Sequence, residues 1–132
     1  MDPAQNAKYL ARLLKSNEEQ MNIAEHKIGN NIVLEILEAR LGADKAAAFK
    51  EAVGLYLGAG PVSLILDLAK VNFIDSSGLG AILGVLKRMP QGSDLAICGT
   101  TTSVSNMFKL TRMDRVFTIC TTVNDAVSAL AH

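Results

Sequence analysis

Tryptophan is absent, aromatic residues make up 5% of the chain, and histidine occurs twice, at His26 and His132. With so few imidazoles, a serine nucleophile lacks its usual base and a zinc site lacks ligands. There is also no Gly-x-Ser-x-Gly elbow, no Gly-x-x-x-x-Gly-Lys-Ser/Thr phosphate loop and no dinucleotide fingerprint. The chain therefore reads as a non-enzyme, with no cofactor and no metal. Neither sign of charge is in excess: Lys plus Arg and Asp plus Glu number 13 each, and the pI is near 6.7. Nucleic acid and acidic lipid find no electrostatic footprint on such a chain. The longest apolar stretch, Gly78 to Leu86, is about half of the roughly 20 residues a membrane-spanning helix needs. The N-terminus is polar, without the apolar core of a signal peptide. A soluble, cytoplasmic protein is expected.

Cysteine is scarce too. Cys98 and Cys120 lie far apart in apolar, strand-like segments, where a free thiol packs as a small hydrophobe. Spacing alone leaves a disulfide between them open, and nothing else points to an oxidising compartment.

What is present is apolar bulk, 49% of 132 residues, enough for the core of one domain. Residues 1–20 read as a helical extension separate from a domain over 21–132. Ala7, Leu10, Ala11 and Leu14 form one stripe at helical spacing, and Pro3 suits a first turn. Packing on its own domain is one reading of that helix; pairing with a second chain as a homodimer is the other. Ile23–Ile28 and Ile32–Leu37 read as a hairpin around Gly29-Asn30-Asn31. The first of these strands is the more polar and so nearer an edge, and His26 on it reads as a surface residue. A helix follows over Ala43–Leu57, with Asp44 in its first turn and Phe49, Ala52, Val53 and Tyr56 inward. Gly58-Ala59-Gly60-Pro61 ends it through a left-handed glycine cap and a proline block.

Val62–Leu68, apolar on both faces apart from Ser63 and Asp67, reads as a central strand. Helix Ser77–Met89, strand Leu95–Cys98, a short helix capped by Thr101 or Thr102, strand Val116–Cys120 and a helix capped by Thr121 or Thr122 complete the chain. The order is β-β-α-β-α-β-α-β-α, an α/β domain with a mixed sheet.

The chemistry concentrates in Asp75-Ser76-Ser77-Gly78, where a buried strand hands over to a helix. Helix capping accounts for one oxygen, with Ser76 the expected cap; three candidates stand side by side. Gly78, Gly80 and Gly84 thin the following helix, each at up to about 1 kcal/mol against Ala, and so admit another backbone, the domain's own or a partner's. Strand-to-helix junctions of this kind are where phosphates and ligands gather in α/β sheets.

The run Val71-Asn72-Phe73-Ile74-Asp75-Ser76-Ser77-Gly78-Leu79-Gly80-Ala81-Ile82-Leu83 resembles the signature of STAS domains of the bacterial anti-sigma factor antagonist type. The likeness extends from about Asn22 to Leu130 and includes the closing pattern from Met107 to Phe117. It implies a STAS fold and a binding module in transcription regulation, with Ser77 as the phosphorylated residue and Asp75, Ser76 and Gly78 in support. Partner contacts are implied at Leu79, Gly80, Leu41 and Asp44. The implied partners are an anti-sigma factor with serine kinase activity, which the unphosphorylated form binds to release sigma, and a serine phosphatase. Ala39-Arg40-Leu41-Gly42 departs from the family's Gly-x-Leu-Asp. A constitutive STAS scaffold or transporter-associated subunit, without a phospho-switch, is the alternative, and a metabolite-binding domain ranks behind both.

Overall fold

A computed structural model describes residues 21–58 and 60–131; the amphipathic stripe from Ala7 to Leu14 lies outside them. The leading hairpin forms as expected. Strand β1 (Ile23–Ile28) pairs antiparallel with β2 (Asn31–Ile36), and Gly29 takes the positive φ of +60° that the turn requires. Asn31, expected in the turn, belongs to the strand, and its side-chain amide donates to the Ile28 carbonyl at 3.1 Å.

From there the chain alternates. Strand β3 (Arg40–Leu41) leads into α1 (Ala43–Gly54), then β4 (Ser63–Asp67), β5 (Phe73–Ile74) and α2 (Ser76–Arg88). Strand β6 (Asp94–Cys98), α3 (Thr102–Leu110), a 3-10 turn over Met113–Arg115, β7 (Thr118–Cys120) and α4 (Val123–Ala129) follow. The main sheet runs β1-β2-β4-β6-β7, parallel everywhere except the leading hairpin, and β3 and β5 form a second, parallel pair.

Strand side chains alternate between faces, and that alternation divides the core. Leu34, Ile36, Leu64, Leu66, Leu95 and Ile97 point to one face, where Phe49 and Val53 of α1, Ile82 and Val85 of α2, and Val104 and Phe108 of α3 cover them. Val33, Ile65, Ala96 and Cys98 point to the other, under Ala126 of α4. Strand β4 is buried from both sides at Leu64, Ile65 and Leu66, as its central apolar run predicts.

The element ends differ from expectation for local reasons. Helix α1 stops at Gly54, because Tyr56 and Leu57 donate three residues back, to Val53 and Gly54, and tighten the chain out of the α form. The expected left-handed cap at Gly58 is not there: among the described residues the positive-φ glycines are Gly29, Gly92 and Gly99. Strand β7 begins at Thr118 rather than Val116, since left-handed Arg112 (φ +60°) turns the chain into the 3-10 segment first. Phe108 and Phe117 then meet edge to face at 5.9 Å and hold α3 against that segment. No helix among the described residues is long and apolar enough to cross a membrane.

Candidate functional site

Asp75 leaves β5 with extended backbone (φ −109°, ψ −175°), immediately before the first helical residue of α2. That is N-cap geometry, and its Oδ1 accepts from the Gly78 N–H at 3.0 Å. The other oxygen, Oδ2, accepts from the Ala43 N–H at 3.2 Å, at the start of α1. One carboxylate caps two helices. Gly42, which holds the N-cap position of α1, brings no side chain of its own to the task. A Cβ on Gly42 would stand 3.0 Å from Asp75 Oδ2, so the missing side chain is the room into which the carboxylate reaches. The Gly78 N–H above all, with the Ala43 and Ser77 N–H groups and the charge of Arg40, holds the Asp75 carboxyl below its ordinary 3.8, against an opposing effect of desolvation.

Ser76 is therefore not the cap. It is the first helical residue, and its backbone has already turned into the helix when Asp75 reaches forward to the free N–H groups. Ser76 and Ser77 are both exposed. Gly78 is buried, and a Cβ there would collide with the Leu41 carbonyl oxygen and stand 2.8 Å from Ile74 Cγ1. The close approach that this glycine permits is to the domain's own β3. Gly84 faces the Lys50 side chain of α1, where a Cβ would lie 3.1 Å from its Cδ, while Gly80 looks into open space.

Two of the residues expected to contact a partner are buried in the chain itself. Leu41 is 0% and Leu79 5% exposed, because the alternation of β3 and the inward stripe of α2 turn both into the core beneath the site. Gly80 and Asp44 remain at the surface. Arg40 stood out in the sequence only as part of the departing Ala39-Arg40-Leu41-Gly42 segment. It is register partner to Phe73 across β3 and β5, and its guanidinium lies 4.3 Å from the Phe73 ring centroid, a cation–π contact. Two-residue strands carry no periodicity, and only their pairing brings Arg40, Phe73 and Asp75 to one corner.

Ser77 stands exposed in the first turn of α2, next to Asp75. Asp75 is occupied by N–H donors and is a weak base with its carboxyl so acidified. Among the described residues no three side chains are grouped to hold a metal ion.

The STAS domain family profile matches residues 4–126. The anti-sigma-F factor antagonist RsfB of Mycobacterium tuberculosis is 23% identical over 83% of this chain and 88% of its own length. Among solved structures, an anti-sigma factor antagonist from Mycobacterium paratuberculosis superposes with a TM-score of 0.76 at 20% identity, covering 88% of this chain and 98% of that one. The Bacillus cell fate determinant SpoIIAA in its phosphorylated form superposes with a TM-score of 0.60 at 15% identity, covering 83% of this chain and all (100%) of the other. At those identities the structural likeness speaks for the fold. The profile match speaks for descent, and since it spans most of the sequence, the chain belongs to the STAS domain family.

Proposed function

We propose that the chain is an anti-sigma factor antagonist whose binding is switched by phosphorylation of Ser77. The observation that carries the reading is a division of labour at the corner. Asp75 caps, Gly78 packs, and Ser77 does neither while its side chain stands exposed. Its hydroxyl can be modified without disturbing the structure around it. A phosphate on the second residue of α2 adds a charge of about −1.5 to −2. The helix dipole favours an anion there by roughly 0.3–1 kcal/mol, and Arg40 brings a cation to the same corner. A partner seated over that spot meets the same charge in a desolvated interface. If that costs about 3 kcal/mol, affinity falls roughly a hundredfold.

In this reading the partner is an anti-sigma factor with serine kinase activity. The unphosphorylated chain binds it and releases sigma, the kinase resets the chain with ATP, and a serine phosphatase restores it. The names of RsfB and of the Mycobacterium paratuberculosis protein support the partner class, and the phosphorylated form of SpoIIAA supports the modification. The kinase must supply the base, because Asp75 is a poor one. Incubation of the full chain with the cognate kinase and ATP, followed by peptide mapping, is expected to place the phosphate on Ser77. Phosphate elsewhere, or undiminished labelling of Ser77→Ala, would sink the assignment.

A further inference from the structure

Cys98 ends β6 and Cys120 ends β7, and the two are register partners across this parallel pair. Residues in register point to the same face of a sheet, and both side chains lie in the cluster that α4 covers. Adjacent strands run about 4.7–4.9 Å apart, within the roughly 4.4–6.8 Å between Cα atoms that a disulfide spans. Both are free thiols, and they are the only cysteines in the sequence.

The two sulfurs differ in access. Cys98 is 1% exposed, whereas Cys120 is only partly buried at the edge strand. Burial, the charge of Asp67 and the nearness of Cys120 push the Cys98 thiol up to about 12. Cys120 is consequently the one to meet an oxidant from solvent, and Cys98 is the one waiting beside it.

We propose that Cys98 and Cys120 are an oxidation-sensitive pair that closes to a disulfide and staples the α3 crossover to the sheet. The oxidant is a hydroperoxide. The Cys120 thiolate attacks it, the O–O bond breaks, and an S–O bond forms; with hydrogen peroxide the released hydroxide leaves as water with the thiol's proton. The Cys98 sulfur then attacks the Cys120 sulfenic acid. An S–S bond forms, the S–O bond breaks, and the departing hydroxide takes the Cys98 proton as a second water. Two thiols lose two electrons between them, and one peroxide is reduced.

The closed ring holds everything between the two strands: α3, the 3-10 turn and the exposed side chains of Leu110 (82%) and Val116 (49%). Strand β7 has three residues and one neighbour, so it gains most from the cross-link. The test is to treat the reduced full chain with hydrogen peroxide, alkylate the remaining thiols with N-ethylmaleimide, digest and map by mass spectrometry. The expected product is a monomer with a peptide cross-linked from Cys98 to Cys120. Hydrogen exchange on the same oxidised sample should slow at Thr118–Cys120 by about tenfold or more. Free alkylated thiols, cross-links between chains, or Cys120 carried past sulfenic acid with Cys98 still alkylated would each overturn the pair. A disulfide that leaves exchange in β7 unchanged would overturn the staple. Both readouts use the wild-type chain, so neither depends on a variant folding.

Discussion

Asp75 joins two stretches far apart in sequence, since its oxygens serve Gly78 on one side and Ala43 on the other. Those N–H groups lower its folded-state pKa, so the unfolded chain takes up the proton first as acid is added. The contribution of Asp75 is complete above the unfolded value of about 3.8–3.9 and is lost as pH falls through the folded value. Asp75→Ala should accordingly be less stable than wild type at pH 7, with the gap narrowing below about pH 4; urea denaturation at a series of pH values checks this. A gap that stays constant with pH would mean the carboxylate charge is irrelevant. The two nearby glycines make a matched pair. Gly78→Ala should cost roughly 1–3 kcal/mol, through overpacking against Leu41, whereas Gly80→Ala, in open space, should gain up to about 1 kcal/mol of helix propensity. Denaturant midpoints of the two variants should move in opposite directions. At this scale Asp75-Ser76-Ser77-Gly78 was legible as a helix start. Which oxygen caps was not, because three neighbouring oxygens share the same local preference and the choice depends on α1 lying alongside.

Elements with a sustained pattern were legible in the sequence, and their ends were not. Ile32, Leu34 and Ile36 alternate along β2; Leu34 and Ile36 belong to the larger cluster and Ile32 packs against it. The end of α1 at Gly54 and the delayed start of β7 depend on backbone bonds and on left-handed Arg112, which side-chain periodicity does not register. Capping threonines divided the same way. Thr122 accepts from the Asp125 N–H at 3.1 Å, as a cap should. Thr101 stands at the N-cap of α3 without a side-chain cap bond, and its hydroxyl donates instead to the Val71 carbonyl at 2.9 Å. Thr122→Ala should therefore fray α4 and cost about 1 kcal/mol, visible as faster hydrogen exchange in Val123–Ala129. An unchanged exchange pattern would show that sheet packing alone holds the helix.

Over the whole molecule, the buried core and the proposed recognition corner draw on different residues. The larger cluster is anchored by side chains such as Phe49, 0% exposed on α1, and Phe49→Ala should cost about 3–5 kcal/mol, a loss that calorimetry or denaturant titration reads directly. The exposed corner at Ser77 stands outside that core, so a charge placed there should leave the fold intact. The order of strands and helices was visible from the sequence because each long element repeats its pattern; the corner took shape only when the β3–β5 pair brought Arg40, Phe73 and Asp75 together. The central claim is that charge at this one position controls association. The most direct measurement is the affinity of wild type and of Ser77→Asp for the same cognate anti-sigma factor, with circular dichroism confirming that both are folded. The proposed switch predicts a loss on the order of a hundredfold for Ser77→Asp at unchanged stability; equal affinities would contradict it and leave a constitutive binding module.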